Sequence, residues 1–382
     1  MTPMHISILF TMLNHMVFSG MRLAVALDAI HMETSPALVG TITALFAFLP
    51  MLGSVLMGRH IDRNGSRGIT LVCTGLLAAV ALLAAFLPNL AVLAVAALTT
   101  GGAYISLHIV NQQSVGRYSK PGNRPASFAL SATAFAASSA ISPLATGFAI
   151  DHMGYRWTYL MLATLPLISM LFIFSGRLKE LTPRVQQSRG SETGGVLDLL
   201  RDSKLRRIYM INVLFATSWD IFLFMMPLYG ASLNISASQI GMIIATFSSA
   251  TFAVRLFAGP FSRIMTPWQL LLASMTLNGI ASLAFGLVSL VPLLLMFAFT
   301  MGLGHGLANP MMSTLLYEAS PPNRIAEVTG LRTSVSMSLQ FVLPMAAGSV
   351  GALIGIAPLF WLVASMQLAG SFSARQNWRI PR

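Results

Sequence analysis

Charge is scarce in this chain. Of its 382 residues only 9% are Asp, Glu, Lys or Arg, against 55% hydrophobic, and the mean hydropathy is +0.74. A water-soluble globule of that size needs far more polar surface, so a soluble fold is excluded. Cysteine is nearly absent too: Cys73 stands alone, which excludes an internal disulfide and a cysteine-ligated metal site. The sequence has no nucleotide-binding glycine-rich loop, no HExxH, no GxSxG and no Cys/His cluster. No soluble segment is long enough for an ATPase motor. Neither an enzyme nor a primary pump is expected, and no cofactor or metal is called for.

What fills the chain is apolar. Windows long enough to cross about 30 Å of hydrocarbon as helices recur near 6–27, 37–58, 69–87, 90–112, 126–149, 156–176, 206–229, 239–259, 268–288, 291–316, 325–349 and 352–372. A transmembrane β-barrel would show shorter segments alternating apolar and polar, and these do not. The expectation is an all-α integral membrane protein with twelve transmembrane helices. The first run has no basic n-region and carries Asn14, Arg22 and Asp28, so it reads as a retained helix rather than a signal peptide.

Basic residues are distributed unevenly. If both termini are cytoplasmic, that side holds Arg59, Arg63, Arg67, Arg117, Lys120, Arg124, the eight basic residues from Arg177 to Arg207, Arg263, Arg324, Arg375, Arg379 and Arg382, and the outer loops hold Arg156. This is the positive-inside pattern, expected of a bacterial inner (plasma) membrane protein. The formal charge of +12 then needs no nucleic acid, and anionic lipid at the inner leaflet is the natural partner.

The chain also repeats itself. At an offset of 201, Gly40 meets Gly241, Gly58 meets Gly259, Gly101 meets Gly302, Gly147 meets Gly348, Gly154 meets Gly355 and Pro143 meets Pro344. Two pseudo-symmetric six-helix bundles are predicted, 1–176 and 206–382. They are joined by a cytoplasmic linker over 177–205, rich in Arg, Ser, Gln and Gly. Parallel repeats of this kind are a transporter architecture, with the substrate site near the midplane between the halves.

Between the second and third spans stands GRHIDRNGSRG, with Gly58, Asp62, Arg63, Gly65 and Arg67. The glycine, the aspartate four residues on, the basic residue after it and the second glycine resemble the signature loop of the major facilitator superfamily. The equivalent place, GPFSRIMTPWQ, keeps Gly259 but has Arg263 where Asp62 stood. With twelve spans and a two-fold repeat, the resemblance covers the whole chain and implies the family fold, secondary transport and a cytoplasmic gate at this loop. The residues support the gate independently. Gly58 lets helix ends approach closely. Asp62 suits the positive end of a helix beginning near Arg324 to Glu327, a contact of about 1 kcal/mol that would hold the cytoplasmic side shut. The plainer reading is a basic turn.

Ionisable residues inside spans cost several kcal/mol unless paired or wet. The first span has Asn14 and Arg22, the seventh Asn212 and Asp220, each pair eight residues apart and so on one helix face. The charges are opposite, and one reading has Arg22 and Asp220 facing each other across the cavity. In the other, Arg22 pairs with Asp28 or snorkels to the outer interface. Asp220 has no basic neighbour on its own helix and could carry a proton. Trp219, beside it, lines the cavity or simply packs.

The tenth span contains GLGHGLANPMM, where Gly302, Gly304 and Gly306 permit close packing while His305, Asn309 and Pro310 put polar groups at membrane depth. His305 is a proton relay or substrate ligand in one reading and a hydrogen-bonded packing residue in the other; His108 and Asn111 on the fourth span carry the same alternatives. At the cytoplasmic edge, Arg117 and Glu318 occupy repeat-equivalent positions with opposite charge, as a cross-half gate pair would. Alternatively, Glu318 pairs with Arg324 and Glu327 with Arg332 locally.

Ser142 to Gly147 reads SPLATG, similar to the family's antiporter motif at Pro143 and Gly147 but with Ser142 and Thr146 in place of glycines. The Met-rich, apolar lining and the family resemblance give the expectation of a monomeric carrier working by alternating access, with proton-coupled export of a small amphipathic organic compound. Uptake of a small organic anion at Arg22, or a transporter-like sensor, are the alternatives.

Overall fold

In the computed structural model the chain forms α1 (Pro3–His31), α2 (Pro36–Asn64), α3 (Arg67–Phe86), α4 (Leu90–Tyr118), α5 (Arg124–Phe174), α6 (Ser203–Ser232), α7 (Ala237–Arg255), α8 (Ala258–Ile264), α9 (Pro267–Phe285), α10 (Val291–Ala319), α11 (Ile325–Ile354) and α12 (Ala357–Trp378). The structure describes residues 3–64, 66–118, 124–174, 201–320 and 325–378, and among these there is no strand. Helices are what hydrocarbon allows, because every backbone group must be satisfied within its own segment.

Among the described residues, ten stretches are long and apolar enough to cross a bilayer. One of them, Leu130–Phe174, is 45 residues long and holds two spans, since Gly154 at φ 78° turns the chain within α5. The apolar part of α12, Ala357–Phe372, falls just under span length. The architecture is thus all-α and consistent with twelve spans.

Several boundaries differ from the sequence reading. The polar stretch after the second span is helical through Asn64, because nothing in its first seven residues breaks a helix. The eighth span ends at Arg255, not 259, and the short α8 carries Gly259 and Arg263. Thr266 then starts α9 with a reciprocal capping box to Gln269 and Pro267 at the first helical position. Most of the linker, 177–200, lies outside the described residues.

The repeat is written into the backbone. Among the described residues, two non-glycine residues have positive φ, Glu33 and Asn234, both at 56° and separated by the same 201 positions. Gly154 and Gly355 are likewise matched at 78° and 85°. Ser35 caps α2 by accepting from the Leu38 N–H at 3.3 Å, and its counterpart Ser236 caps α7 by accepting from Gln239 N–H at 3.3 Å.

The chain divides into two compact units: residues 1–187 with 230–245, and 188–229 with 246–382. In the first, α1 packs on α4 and α5, α2 on α4, and α3 on α4 and α5. In the second, α9 packs on α10 and α12. The core of that second unit gathers Leu205, Tyr209, Ile211, Phe215, Met275, Met312 and Leu315. Large apolar side chains are left outside, Leu353 at 85% and Phe174 at 69% exposure among them, as a bilayer solvent favours.

Within the first unit the SPLATG segment of α5 is a packing face. A Cβ on Gly20 of α1 would meet Thr146 Oγ1 at 2.8 Å and Ser142 Oγ at 2.9 Å, and Ser142 donates to the Met16 carbonyl at 2.5 Å. On another side, Gly147 lies against the Ala237 carbonyl and Gly241 against the Pro143 carbonyl, contacts that leave no room for a side chain. Asp151 on α5 closes this region by accepting from the Ala237 N–H at 3.0 Å and the Ser238 N–H at 2.7 Å, so that a carboxylate sits on the positive end of α7.

Candidate functional site

The seventh span of the sequence reading becomes α6, which starts where Asp202 accepts from the Lys204 N–H at 2.7 Å. Four residues of α6 belong to the candidate site. Asn212 is buried, and its Oδ1 accepts from Arg332 Nε at 3.1 Å; Arg332 Nη1 also donates to Ser313 Oγ at 2.8 Å. One turn on, Phe215 lies 4.5 Å from the His305 ring, and a turn further Trp219 lies 5.5 Å from it. Asp220 is 2% exposed, a carboxyl held inside a membrane-spanning helix.

His305 is enclosed. Phe247 stands 5.3 Å away, and His305 Nδ1 bonds to the Met301 carbonyl at 3.0 Å, one turn back on α10. That local bond satisfies one ring nitrogen and fixes the ring among the three aromatics. The glycines around it do what the sequence implied: Gly302 lies against the Phe247 carbonyl and Gly306 against the Thr251 carbonyl, so α10 approaches α7 backbone to backbone.

In the first unit, the stripe of Asn14 and Arg22 is present on α1. Asn14 Nδ2 donates to the Phe10 carbonyl at 2.8 Å, and Arg22 is half-buried. Asp28 accepts from the Tyr159 hydroxyl at 2.9 Å. Asn111 belongs to a packing network, accepting from Ser7 Oγ at 3.3 Å and donating to Ser131 Oγ at 3.2 Å.

The two units carry matched ring clusters. Phe18, Phe46 and Tyr104 stand 201 positions before Trp219, Phe247 and His305. Phe18 is 5.9 Å from Phe46 and 4.3 Å from Tyr104; Trp219 is 4.9 Å from Phe247. The repeat partner of His305 is thus Tyr104, while His108 lies one turn on from it.

One buried polar residue escaped the sequence reading, and one acquired a partner it had not been given. His15, 4% exposed, bonds through Nδ1 to Ser138 Oγ at 2.5 Å and lies 3.9 Å from the Phe135 ring. Its signal was its place beside Asn14 in an apolar span. One reading of Arg332 paired it locally with Glu327, whose side chain lies outside the described residues. Among the described residues Arg332 donates to Asn212 and Ser313.

Of the gate residues, Arg67 begins α3 and is exposed, as is Glu318 on α10. Gly58 falls within α2, while Gly65 and the side chains of Asp62, Arg63, Arg117 and Asn309 lie outside the described residues.

The family model of the Major Facilitator Superfamily matches residues 6–229 and again 208–374. The chain belongs to this superfamily. Two solved superfamily-like transporters share its fold at 14% identity. An aspartate-to-alanine mutant of the nucleoside transporter NupG gives a TM-score of 0.80, covering 99% of this chain and 100% of that one. A POT family transporter in complex with a thioalcohol-conjugated peptide gives 0.76, covering 97% and 94%. No curated protein matches the sequence. As a member of the superfamily, the chain is an integral, multi-pass membrane protein.

Proposed function

We propose that this protein is a secondary active transporter that exports a small amphipathic organic compound in exchange for protons, by alternating access of one six-helix half against the other. The observation that carries the reading is Asp220, a carboxyl 2% exposed within the span Ser203–Ser232, beside Trp219. A carboxyl buried at that depth is costly to ionise, so taking up or releasing a proton changes its energy strongly. Protons are the coupling ion in this reading, the substrate is bound by Asn14, Arg22, Asn212, Trp219, His305 and Asn309, and the loop at Asp62 with Arg117 and Glu318 forms the cytoplasmic gate. The working unit is a monomer in the inner membrane with both termini cytoplasmic.

Uptake of an organic anion is the second reading, favoured by the half-buried cation Arg22 inside α1. Proton movement in reconstituted vesicles tests both. Native protein is expected to move protons when substrate is added, and Asp220→Asn to abolish that movement while leaving substrate binding in place. The direction of flux separates export from uptake, and flux that persists unchanged in Asp220→Asn would remove Asp220 from the mechanism.

A further inference from the structure

The first unit holds an apolar cavity that the transport reading does not use. Its volume is about 710 Å³, and it lies where α4 packs against both α2 and α3. The lining comes from α2 between Leu49 and His60, from α3 between Gly68 and Leu76 and from α4 between Thr99 and Ser106. At 1.5 Å per residue these stretches measure about 10 to 16 Å, roughly half of a hydrocarbon layer of about 30 Å. The cavity is one leaflet deep. Its polar end, at His60 and Gly68, lies beside Arg67, where the span of α3 begins, and its far end is at Leu49, Leu76 and Thr99.

The open side faces hydrocarbon. Gly68, Val72 and Leu76 are spaced four apart and so share one face of α3; all three line the cavity and all three are exposed, Val72 at 61%. Two glycines keep the space. Glycine weakens a helix, and at Gly101 that cost is offset by close approach to the Phe46 carbonyl. A Cβ at Gly53 or at Gly68 would meet nothing within 4 Å, so no neighbour requires glycine there and its smallness leaves room.

The second unit has a counterpart. Gln269, Ala273 and Leu277 stand 201 positions after Gly68, Val72 and Leu76 and line a smaller cavity of about 480 Å³. Gln269 takes the place of Gly68 there, and its side chain accepts from the Thr266 N–H in the cap of α9. Charge then selects a head group for the larger cavity. Arg67 is exposed at its polar end, and the sequence from 58 to 68 carries three arginines against one aspartate. That excess suits an anionic head group at the interface.

We propose that the groove between α2, α3 and α4 of this unit binds one anionic phospholipid, with an acyl chain in the cavity and the head group at Arg67. The site depends on the membrane setting alone and is independent of the transport reading.

Native mass spectrometry of the purified full-length chain, titrated with phosphatidylglycerol or phosphatidylcholine, tests the site. The first lipid bound is expected to be held about fivefold more tightly as phosphatidylglycerol, the order of one basic residue near an anionic surface. Arg67→Gln should narrow that preference. Gly53→Leu combined with Gly68→Leu fills the cavity with better helix formers and should remove the first site for both lipids without lowering the melting temperature. Phosphatidylglycerol with a photoreactive acyl-chain terminus should cross-link at the Leu49, Leu76 and Thr99 end, a result that decides the matter even if the filled variant does not fold. Equal affinity of the native chain for the two lipids, a first site that survives both leucines, or cross-links confined to other helices would overturn the site and make the groove an ordinary stretch of lipid-facing surface.

Discussion

Gly302 shows how a single residue sets the shape of the site. Its Cα lies against the Phe247 carbonyl, and a Cβ there would also stand 2.8 Å from the Ala250 Cβ. Gly302→Ala is expected to force α10 away from α7 and lower stability by about 1–3 kcal/mol, read as a reduced melting temperature in detergent. Because His305 and Phe247 flank the same contact, substrate affinity should fall with it. A melting temperature equal to that of the native protein would mean that the two helices part without cost. At this scale the sequence was readable where a residue's chemistry is anomalous in lipid: Asp220, Asn212 and His305 all stood out because hydrocarbon penalises them. It was not readable where the partner is remote. Arg332 finds Asn212 across 120 positions and His15 finds Ser138 across 123, and only packing brings such pairs together.

Helix ends were harder to place than helices. α2 runs on to Asn64 and α5 joins two spans through Gly154, because hydropathy reports what the bilayer accepts while helical hydrogen bonding continues into water until a residue breaks it. The second cap of α7 was invisible to pattern, since its carboxylate comes from α5. Asp151 accepts from two backbone N–H groups there, at 3.0 and 2.7 Å. Removing it in Asp151→Ala is expected to cost about 1 kcal/mol, the usual size of a lost helix cap. The check is amide hydrogen exchange, which should quicken at Ala237 and Ser238 and stay unchanged at the Thr266 cap of α9. Unaltered exchange at Ala237 would show that the cap by Ser236 suffices alone.

At the scale of the molecule, the repeat was the most legible feature, and it reaches further than glycines: Glu33 and Asn234 share their unusual φ, and Phe18, Phe46 and Tyr104 are matched by Trp219, Phe247 and His305. The halves differ in what they place on that common frame, a tyrosine in one and a histidine in the other. If an uncharged compound leaves while a proton enters, each cycle carries one positive charge inward, the favoured direction of an interior-negative potential, about 2.3 kcal/mol per charge per 100 mV. A valinomycin-imposed potential, negative on the face that is cytoplasmic in the cell, should therefore speed substrate export from vesicles, and a rate indifferent to potential would exclude that stoichiometry.

The most direct test of a carrier is whether its site meets each side of the membrane in turn. In a Cys73→Ser background, Trp219→Cys reports from the candidate site on α6. Membrane-impermeant maleimide is predicted to label it from the outside and, in inverted vesicles, from the inside, with substrate shifting the balance between the two. Labelling from one side only, whatever is bound, would contradict alternating access and with it the account given for this chain.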